Sequence, residues 1–380
     1  MSGESTVFVF GATGSVGAAA VDVCGSLGLR VVGLGAGSRA DVLASLAQTG
    51  GAKVLHVADS DAAQPLSDGP WRVLTGVETA SEAVIASGAN VVVNAVSGAS
   101  GMAYSFAALD AGVERLALAN KESLVMAGEL LLSAAESAGV DVLPVDSEHA
   151  ALLLLMSAFR GRVRRIALTA SGGPFLNRDD LSDVTPEEAL AHPVWSMGRR
   201  ITVDSGTLMN KVFEVVEAHV LFGFDYDHID VLVHPEGVVH AAVVLGDGVT
   251  VLQAAPADMR CCIQQALTWP ERGGVRFTLD LTETGPLRFF RPEPARFEAL
   301  AALEDLKSGA SPAYRIALNA ADEVAVEEFL EGRLPFDAIA KVALEVARSA
   351  SGRPGTPEEV MEADVRFRET ALEICSRWRS

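Results

Sequence analysis

The chain has 380 residues, 49% of them hydrophobic and 21% charged, with a formal net charge of -20 at pH 7. That length exceeds a single hydrophobic core and calls for two or three domains. The negative charge excludes nucleic acids and membranes as partners but leaves room for a small phosphorylated ligand in a local cationic pocket. The longest apolar run, ALLLLM, is far short of the roughly 20 residues of a membrane span.

The N-terminus, MSGESTVFVF, enters a β-like run by residue 6, which leaves no room for a cleavable signal and gives a cytoplasmic expectation. Cys24, Cys261, Cys262 and Cys375 form no CxxC pair, so reduced, mostly buried thiols are expected. From residue 6 to 145, the runs TVFVF, RVVGLGA, NVVVNAV, RLALAN and DVLPV read as strands, with Ala-rich helical stretches between several of them. This alternation predicts an α/β fold whose N-terminal domain, residues 1–145, is a mostly parallel Rossmann-like sheet with helices on both faces.

Inside that domain, Gly11, Gly14 and Gly17 lie between the first strand and an Ala-rich helix. Glycines there let the backbone approach a pyrophosphate, and the helix N-terminus supplies N–H donors and partial positive charge. At the end of the second strand, an NAD site would carry an acid for the ribose 2′-hydroxyl. Gly37, Ser38 and Arg39 stand there instead. A hydroxyl and a guanidinium suit a 2′-phosphate, so NADPH is favoured, the alternative being a solvated surface arginine.

At residues 143–150 the chain reads LPVDSEHA. If extended, Asp146 and Glu148 share one face at roughly 7 Å, repelling by about 2–3 kcal/mol at an effective dielectric near 20. A divalent cation would offset that repulsion, and hard ions take several carboxylate ligands. Residues 146–275 read as a mixed α+β domain. In it, LTASGGPF ends a strand at Ser171, where a hydroxyl and two glycines can meet a phosphate. TPEEALAH opens a helix with a Thr185–Glu188 capping box and Pro186 at its first position, stopped by Pro193. The stretch HPVWSMGRR places Trp195 and Met197 beside Gly198, as in a mobile lid, although Trp195 also suits a core. If SGTLMNKVFEVVEAH is helical, Asn210, Lys211 and Glu214 share one face, either for a phosphate beside a metal or as a surface Lys–Glu pair. DVLVH reads as a strand, and VVHAAVVLGDGVTVLQAA as a hairpin around Gly246–Gly248. Residues 271–295 contain several Gly and Pro residues and suit a linker, placed at 276–298. Residues 299–380 read as a C-terminal helical domain with a second capping box at Thr356 and Glu359.

The motifs GATGSVG, ALANKESLV, PVDSEHA, ASGGPF, HPVWSMGRRITVDSGTLMNK, DMR and LNAADEVAVEEFL occur in this order from the N-terminus to about residue 330. In these the chain resembles the 1-deoxy-D-xylulose 5-phosphate reductoisomerases. The resemblance implies that Asp146, Glu148 and Glu214 bind Mg²⁺ or Mn²⁺, with Co²⁺ as a further option, and with Lys211 form the catalytic set. It implies that Ser171, Ser205, Asn210 and Lys211 hold the substrate phosphate, and that Ser147 and Lys211 contact substrate oxygens near the metal. His192, Trp195 and Met197 match a flap that closes over the substrate. Gly11, Thr13, Gly14, Ser15, Val16, Gly37, Ser38, Arg39, Asn120, Lys121 and Glu122 match NADPH contacts. The family consists of homodimers of the methylerythritol phosphate route to isoprenoid precursors. Its reaction rearranges a ketose phosphate to a branched aldehyde phosphate, by retro-aldol and aldol steps, and reduces it to 2-C-methyl-D-erythritol 4-phosphate. Departures from the usual family wording fall at Ala150, Val194, Val212, Phe213, Glu236-Gly237 and Cys261-Cys262. They keep open a divergent paralogue, a metal-dependent NADP oxidoreductase acting on a related phosphorylated or phosphonate substrate.

Overall fold

The computed structural model of the chain describes residues 5–195, 198–274 and 277–378. The chain forms two compact units, one of residues 1–123, 129–150 and 258–277, the other of 124–128, 151–257 and 278–380. The expected boundaries thus differ from the packing. Residues 258–277 return to the first unit, and the C-terminal helices share the second unit with residues 151–257.

The first unit holds seven strands: β1 (Thr6–Phe10), β2 (Arg30–Ala36), β3 (Val54–Val57), β4 (Arg72–Thr75), β5 (Val91–Asn94), β6 (Arg115–Leu118) and β7 (Asp141–Pro144). Their order is β4-β3-β2-β1-β5-β6-β7, all parallel. Strands β1, β3, β5 and β6 are buried at most or all positions, as befits a sheet covered on both faces. The sequence motifs pointed to five of the seven strands. β3 and β4 have only four residues each, and β4, at the sheet edge, is half exposed, so neither has a distinctive apolar period. The order reverses at β1, which has β2 on one side and β5 on the other; this is the switch point where doubly wound sheets open a crevice.

In the second unit β8 (Val163–Ala170) runs parallel to β9 (Ile229–Val233) and antiparallel to β10 (Val239–Leu245), which forms a hairpin with β11 (Thr250–Ala254). Helices Pro312–Leu330, Ile339–Ser349 and Pro357–Ser376 bury Phe329, Ile339, Val342 and Ile374 in one core with Val212 and Phe213 of helix Met209–Phe222. The Thr185–Glu188 capping box is complete. At Thr356 only half of it forms, because the Glu359 carboxylate turns to the Gly355 N–H instead, at 2.6 Å. No described helix is long and apolar enough to cross a membrane.

Candidate functional site

β1 delivers the chain into Gly11, which sits at φ +73°, where a Cβ would lie 2.4 Å from the Ala95 carbonyl oxygen. Only glycine fits this turn. Helix Ser15–Leu27 follows, with Gly14 as an N-cap that makes no side-chain bond and no acid in the first turn, so its positive end is available to an anion. A pocket of about 260 Å³ opens here, lined by Gly11, Thr13, Gly14, Gly37 and Arg39 among the expected contacts. Ser15 and Val16 lie in the helix's first turn, and Ser38 is exposed between two lining residues. The Arg39 guanidinium donates to the Thr13 carbonyl at 2.5 Å, bracing the loop after β2 against the glycine turn.

Asn120, Lys121 and Glu122 are not among the residues on that wall. Asn120 caps helix Lys121–Ala138 and donates to the Val96 and Gly98 carbonyls at 2.9 and 3.0 Å. Glu122 accepts from Gly98 N at 3.1 Å. Both therefore hold the loop after β5, whose Ala95, Val96 and Ser97 do line the pocket and were not singled out from the sequence. The switch-point rule would have found them, since this loop leaves the strand next to β1. His56, also on the wall, is fully buried; burial lowers its pKa, against a bond between Nε2 and the Gly76 carbonyl.

The acid segment departs from the extended conformation expected for it. β7 stops at Pro144 and helix Ser147–Ala158 begins immediately, so Asp146 and Glu148 are not alternate residues of a strand. Asp146 Oδ1 accepts from Glu148 N at 3.0 Å and from His149 Nδ1 at 2.9 Å, while Lys121 Nζ stands 3.4 Å from Oδ2. Ser147 Oγ donates to Glu148 Oε2. Two acids at a helix N-terminus are stabilised by its dipole, so part of the compensation first assigned to a cation is built into the backbone and Lys121. The fully buried His149 holds Asp146 from one turn away, a partner that the i,i+3 spacing signals once the segment is helical. Gln265 donates to the Ala150 carbonyl at 2.7 Å, and burial, then Asp146, pushes the Cys262 thiol upward.

In the second unit, β8 leads into Ser171 and two glycines at φ +87° and +66°. A Cβ on Gly173 would lie 2.5 Å from the Ser205 carbonyl oxygen, so this loop presses on helix Arg199–Thr207. The Ser205 hydroxyl donates to Thr202 O at 2.6 Å. His192 Nδ1 accepts from Val194 N and Trp195 N at 3.1 and 2.8 Å, which leaves the ring proton on Nε2 to face Ser171 Oγ at 3.2 Å. Burial lowers the His192 pKa, favouring that neutral form. Trp195 is half-buried, its ring 6.1 Å from that of His240. Met197 lies outside the described residues.

The stretch expected as one helix is two, Arg199–Thr207 and Met209–Phe222, broken at Leu208 with φ 62°. A left-handed leucine costs about 1–2 kcal/mol, and burial at 2% exposure holds it in place. Beyond the corner, Lys211 Nζ donates to Glu214 Oε2 and Asn210 Nδ2 to Oε1 at 2.5 Å. Lys211 and Glu214 are 3% and 1% exposed, which rules out an ordinary surface pair. Elsewhere in this unit two departures from the family wording meet: Val194 packs over Gly237, whose φ of +63° and tight space disfavour a larger residue. The structure offers no account of why Cys261 and Cys262 follow DMR.

Family profiles match residues 7–128 (1-deoxy-D-xylulose 5-phosphate reductoisomerase), 142–222 (its C-terminal domain) and 254–370 (DXP reductoisomerase C-terminal domain). The chain belongs to the 1-deoxy-D-xylulose 5-phosphate reductoisomerase family. It is 46% identical over 347 residues to the reductoisomerase of Symbiobacterium thermophilum, covering 88% of this chain and 89% of that protein. It is 42% identical over 374 residues to that of Thermus thermophilus, covering 98% and 99%. Among solved structures it resembles the Zymomonas mobilis reductoisomerase in complex with NADPH, with TM-score 0.89, 36% identity and 98% and 99% coverage. It also resembles a DOX-P reductoisomerase in complex with NADPH, fosmidomycin and magnesium, with TM-score 0.89, 31% identity and 98% coverage of each chain.

Proposed function

We propose that this chain converts 1-deoxy-D-xylulose 5-phosphate to 2-C-methyl-D-erythritol 4-phosphate with NADPH and a divalent ion, in isoprenoid precursor synthesis. The observation that carries this reading is the buried Lys211–Glu214 pair with the part-buried Asn210 amide on the same carboxylate, in a chain related over nearly its whole length to reductoisomerases. The family match favours this substrate over that of a divergent paralogue.

NADPH fits the first unit. The uncapped helix start at Ser15, the turn that only Gly11 can make, and the exposed Gly37-Ser38-Arg39 segment offer N–H groups, close approach and a guanidinium. Gly11, Thr13, Gly14, Ser15 and Val16 take the pyrophosphate side, and Ser38 and Arg39 the 2′-phosphate. Asn120 and Glu122 hold the loop against which the ring end lies, and Lys121 reaches in from beside Asp146. The cofactor supplies a hydride.

A divalent ion fits by donor chemistry, since Asp146, Glu148 and Glu214 offer the hard oxygens that Mg²⁺, Mn²⁺ or Co²⁺ take. When bound, such an ion polarises substrate oxygens as a Lewis acid. A relative containing magnesium and fosmidomycin, a phosphonate, supports both ligand classes. Ser171, Ser205, Asn210 and Lys211 hold the phosphate, the Lys211 ammonium neutralising charge and the hydroxyls orienting it. Ser147 orients the Glu148 carboxylate. His192, neutral and donating from Nε2, ties Ser171 to Trp195, and Trp195 and Met197 act as the flap that excludes water from the substrate.

By role along the chain, we assign 1–145 to NADPH, 146–275 to substrate, metal and dimerisation (its last part packing in the first unit), 276–298 to a linker and 299–380 to support within the second unit, in a cytoplasmic homodimer. The exposed Val249 and Leu252 near or on edge strand β11, with Phe289 and Phe290, support self-association. The test of function is steady-state NADPH oxidation with 1-deoxy-D-xylulose 5-phosphate and Mn²⁺, with identification of the product. Folded, NADPH-binding protein that oxidises none would eliminate the reading.

A further inference from the structure

We propose that Arg200, held by Glu323, which Arg368 in turn braces, is a positioning residue through which the C-terminal helices set substrate affinity. The inference rests on the reading above, that Ser205, Asn210, Lys211 and Glu214 receive the phosphorylated substrate.

Arg200 occupies the first turn of helix Arg199–Thr207, where a cation meets the positive end of the dipole and is disfavoured. Its side chain is only 24% exposed. Such a placement needs partners, and they come from far along the chain. Nη1 donates to Glu323 Oε1 at 2.6 Å; Nη2 donates to Asn319 Oδ1 at 2.9 Å and Asp322 Oδ2 at 3.0 Å. Nε lies 3.5 Å from Asp204 Oδ2 on its own helix. The other Glu323 oxygen accepts from Arg368, whose Nε donates to Asp364 Oδ2 at 2.6 Å. Burial alone would raise the Glu323 pKa, but Arg200 and Arg368 together hold it below the ordinary value. Three helices, Arg199–Thr207, Pro312–Leu330 and Pro357–Ser376, are thus joined by two guanidiniums and a shared carboxylate.

What this relay holds is the substrate face. Helix Arg199–Thr207 carries Ser205 and ends at the left-handed Leu208, which leads directly to Asn210. The Arg200 guanidinium also lies 5.8 Å from the centre of the Phe213 ring, beside Glu214. The same helices already share an apolar core that includes Phe329, Phe336 and Ile339. A buried ionic network adds little to stability on top of such a core, whereas it fixes geometry. A misplacement of about 1 Å at a binding face can lower rates by about 10²-fold, so the relay acts on recognition more than on folding.

The test compares Arg368→Met, Arg368→Lys and Glu323→Gln with wild type. For each, thermal unfolding, NADPH affinity, and KM and kcat for 1-deoxy-D-xylulose 5-phosphate are measured. Arg368→Met is expected to raise the sugar-phosphate KM about tenfold, leave NADPH affinity unchanged, and be largely rescued by Arg368→Lys. Glu323→Gln keeps the shape and an acceptor for Arg200, and is expected to raise the same KM severalfold while remaining folded. It decides the matter should Arg368→Met fail to fold. A sugar-phosphate KM equal to wild type in the folded variants, or equal losses for sugar phosphate and NADPH, would overturn the inference. A wild type that does not turn over the sugar phosphate would instead overturn the functional reading on which it rests.

Discussion

The glycine turn after β1 and the Asn210–Lys211–Glu214 face solve the problem of binding an anionic ligand in opposite ways. The turn uses backbone: Gly11 at φ +73°, an uncapped helix start and a partly exposed loop, with Arg39 braced by the Thr13 carbonyl. The face uses side-chain charges kept out of water, with Lys211 and Glu214 at 3% and 1% exposure. A backbone site tolerates many side-chain changes and fails when the chain path is altered. A buried-charge site tolerates little, because removing one partner strands the other.

The comparison breaks most visibly at Lys211→Met. In metal-free protein it leaves the Glu214 carboxylate buried beside the Asn210 amide, and a loss of about 3–5 kcal/mol in urea unfolding is expected. An unchanged midpoint would mean that the charge is solvated. Gly11→Ala attacks the backbone side, forcing a Cβ to 2.4 Å from Ala95 O at a left-handed φ. The expected strain is about 1–3 kcal/mol, read as weaker NADPH binding by fluorescence titration; wild-type affinity would remove the steric argument. Arg39→Ala is expected to raise the NADPH KM about ten- to a hundredfold, the worth of a charge-assisted hydrogen bond of about 1.5–3 kcal/mol. The NADH KM should stay put, and equal losses would reject a 2′-phosphate contact.

The smallest effect sharpens the lesson about buried charge. Burial, opposed by Arg200, pushes Asp322 up to about 6. The folded chain then holds that proton more tightly than the unfolded one, so the stability from this group is full below about pH 4 and lost as pH rises through about 6. Asp322→Asn keeps an acceptor for Arg200 and is expected to raise Tm by a few degrees near neutral pH, the gain vanishing near pH 4. A constant difference across that window would mean that Asp322 does not titrate there.

Much of this was legible in the sequence, for identifiable reasons. Five strands of the first sheet announced themselves as apolar runs, and the β10–β11 hairpin by Gly-Asp-Gly. The acid segment was misread as extended because the apolar run before it continues a strand pattern, while the helix start is set by Asp146 bonding forward to Glu148 N. The corner at Leu208 was invisible because leucine rarely adopts that conformation. The roles of Asn120 and Glu122 depend on a loop more than 20 residues upstream. Likewise, Arg200 finds its partners 119 to 123 residues away, a pairing no local pattern encodes.

The central proposal is that Asp146, Glu148 and Glu214 serve one divalent ion. Calorimetric titration of Mn²⁺ into the NADPH-loaded protein tests it directly, using wild type, Glu148→Gln, Glu214→Gln and the double variant. The account predicts one site in wild type, at least about a tenfold weakening in each single variant, and a double variant little worse than either, as for ligands of a shared ion. Mn²⁺ affinity that Glu214→Gln leaves untouched while Glu148→Gln abolishes it would contradict the account.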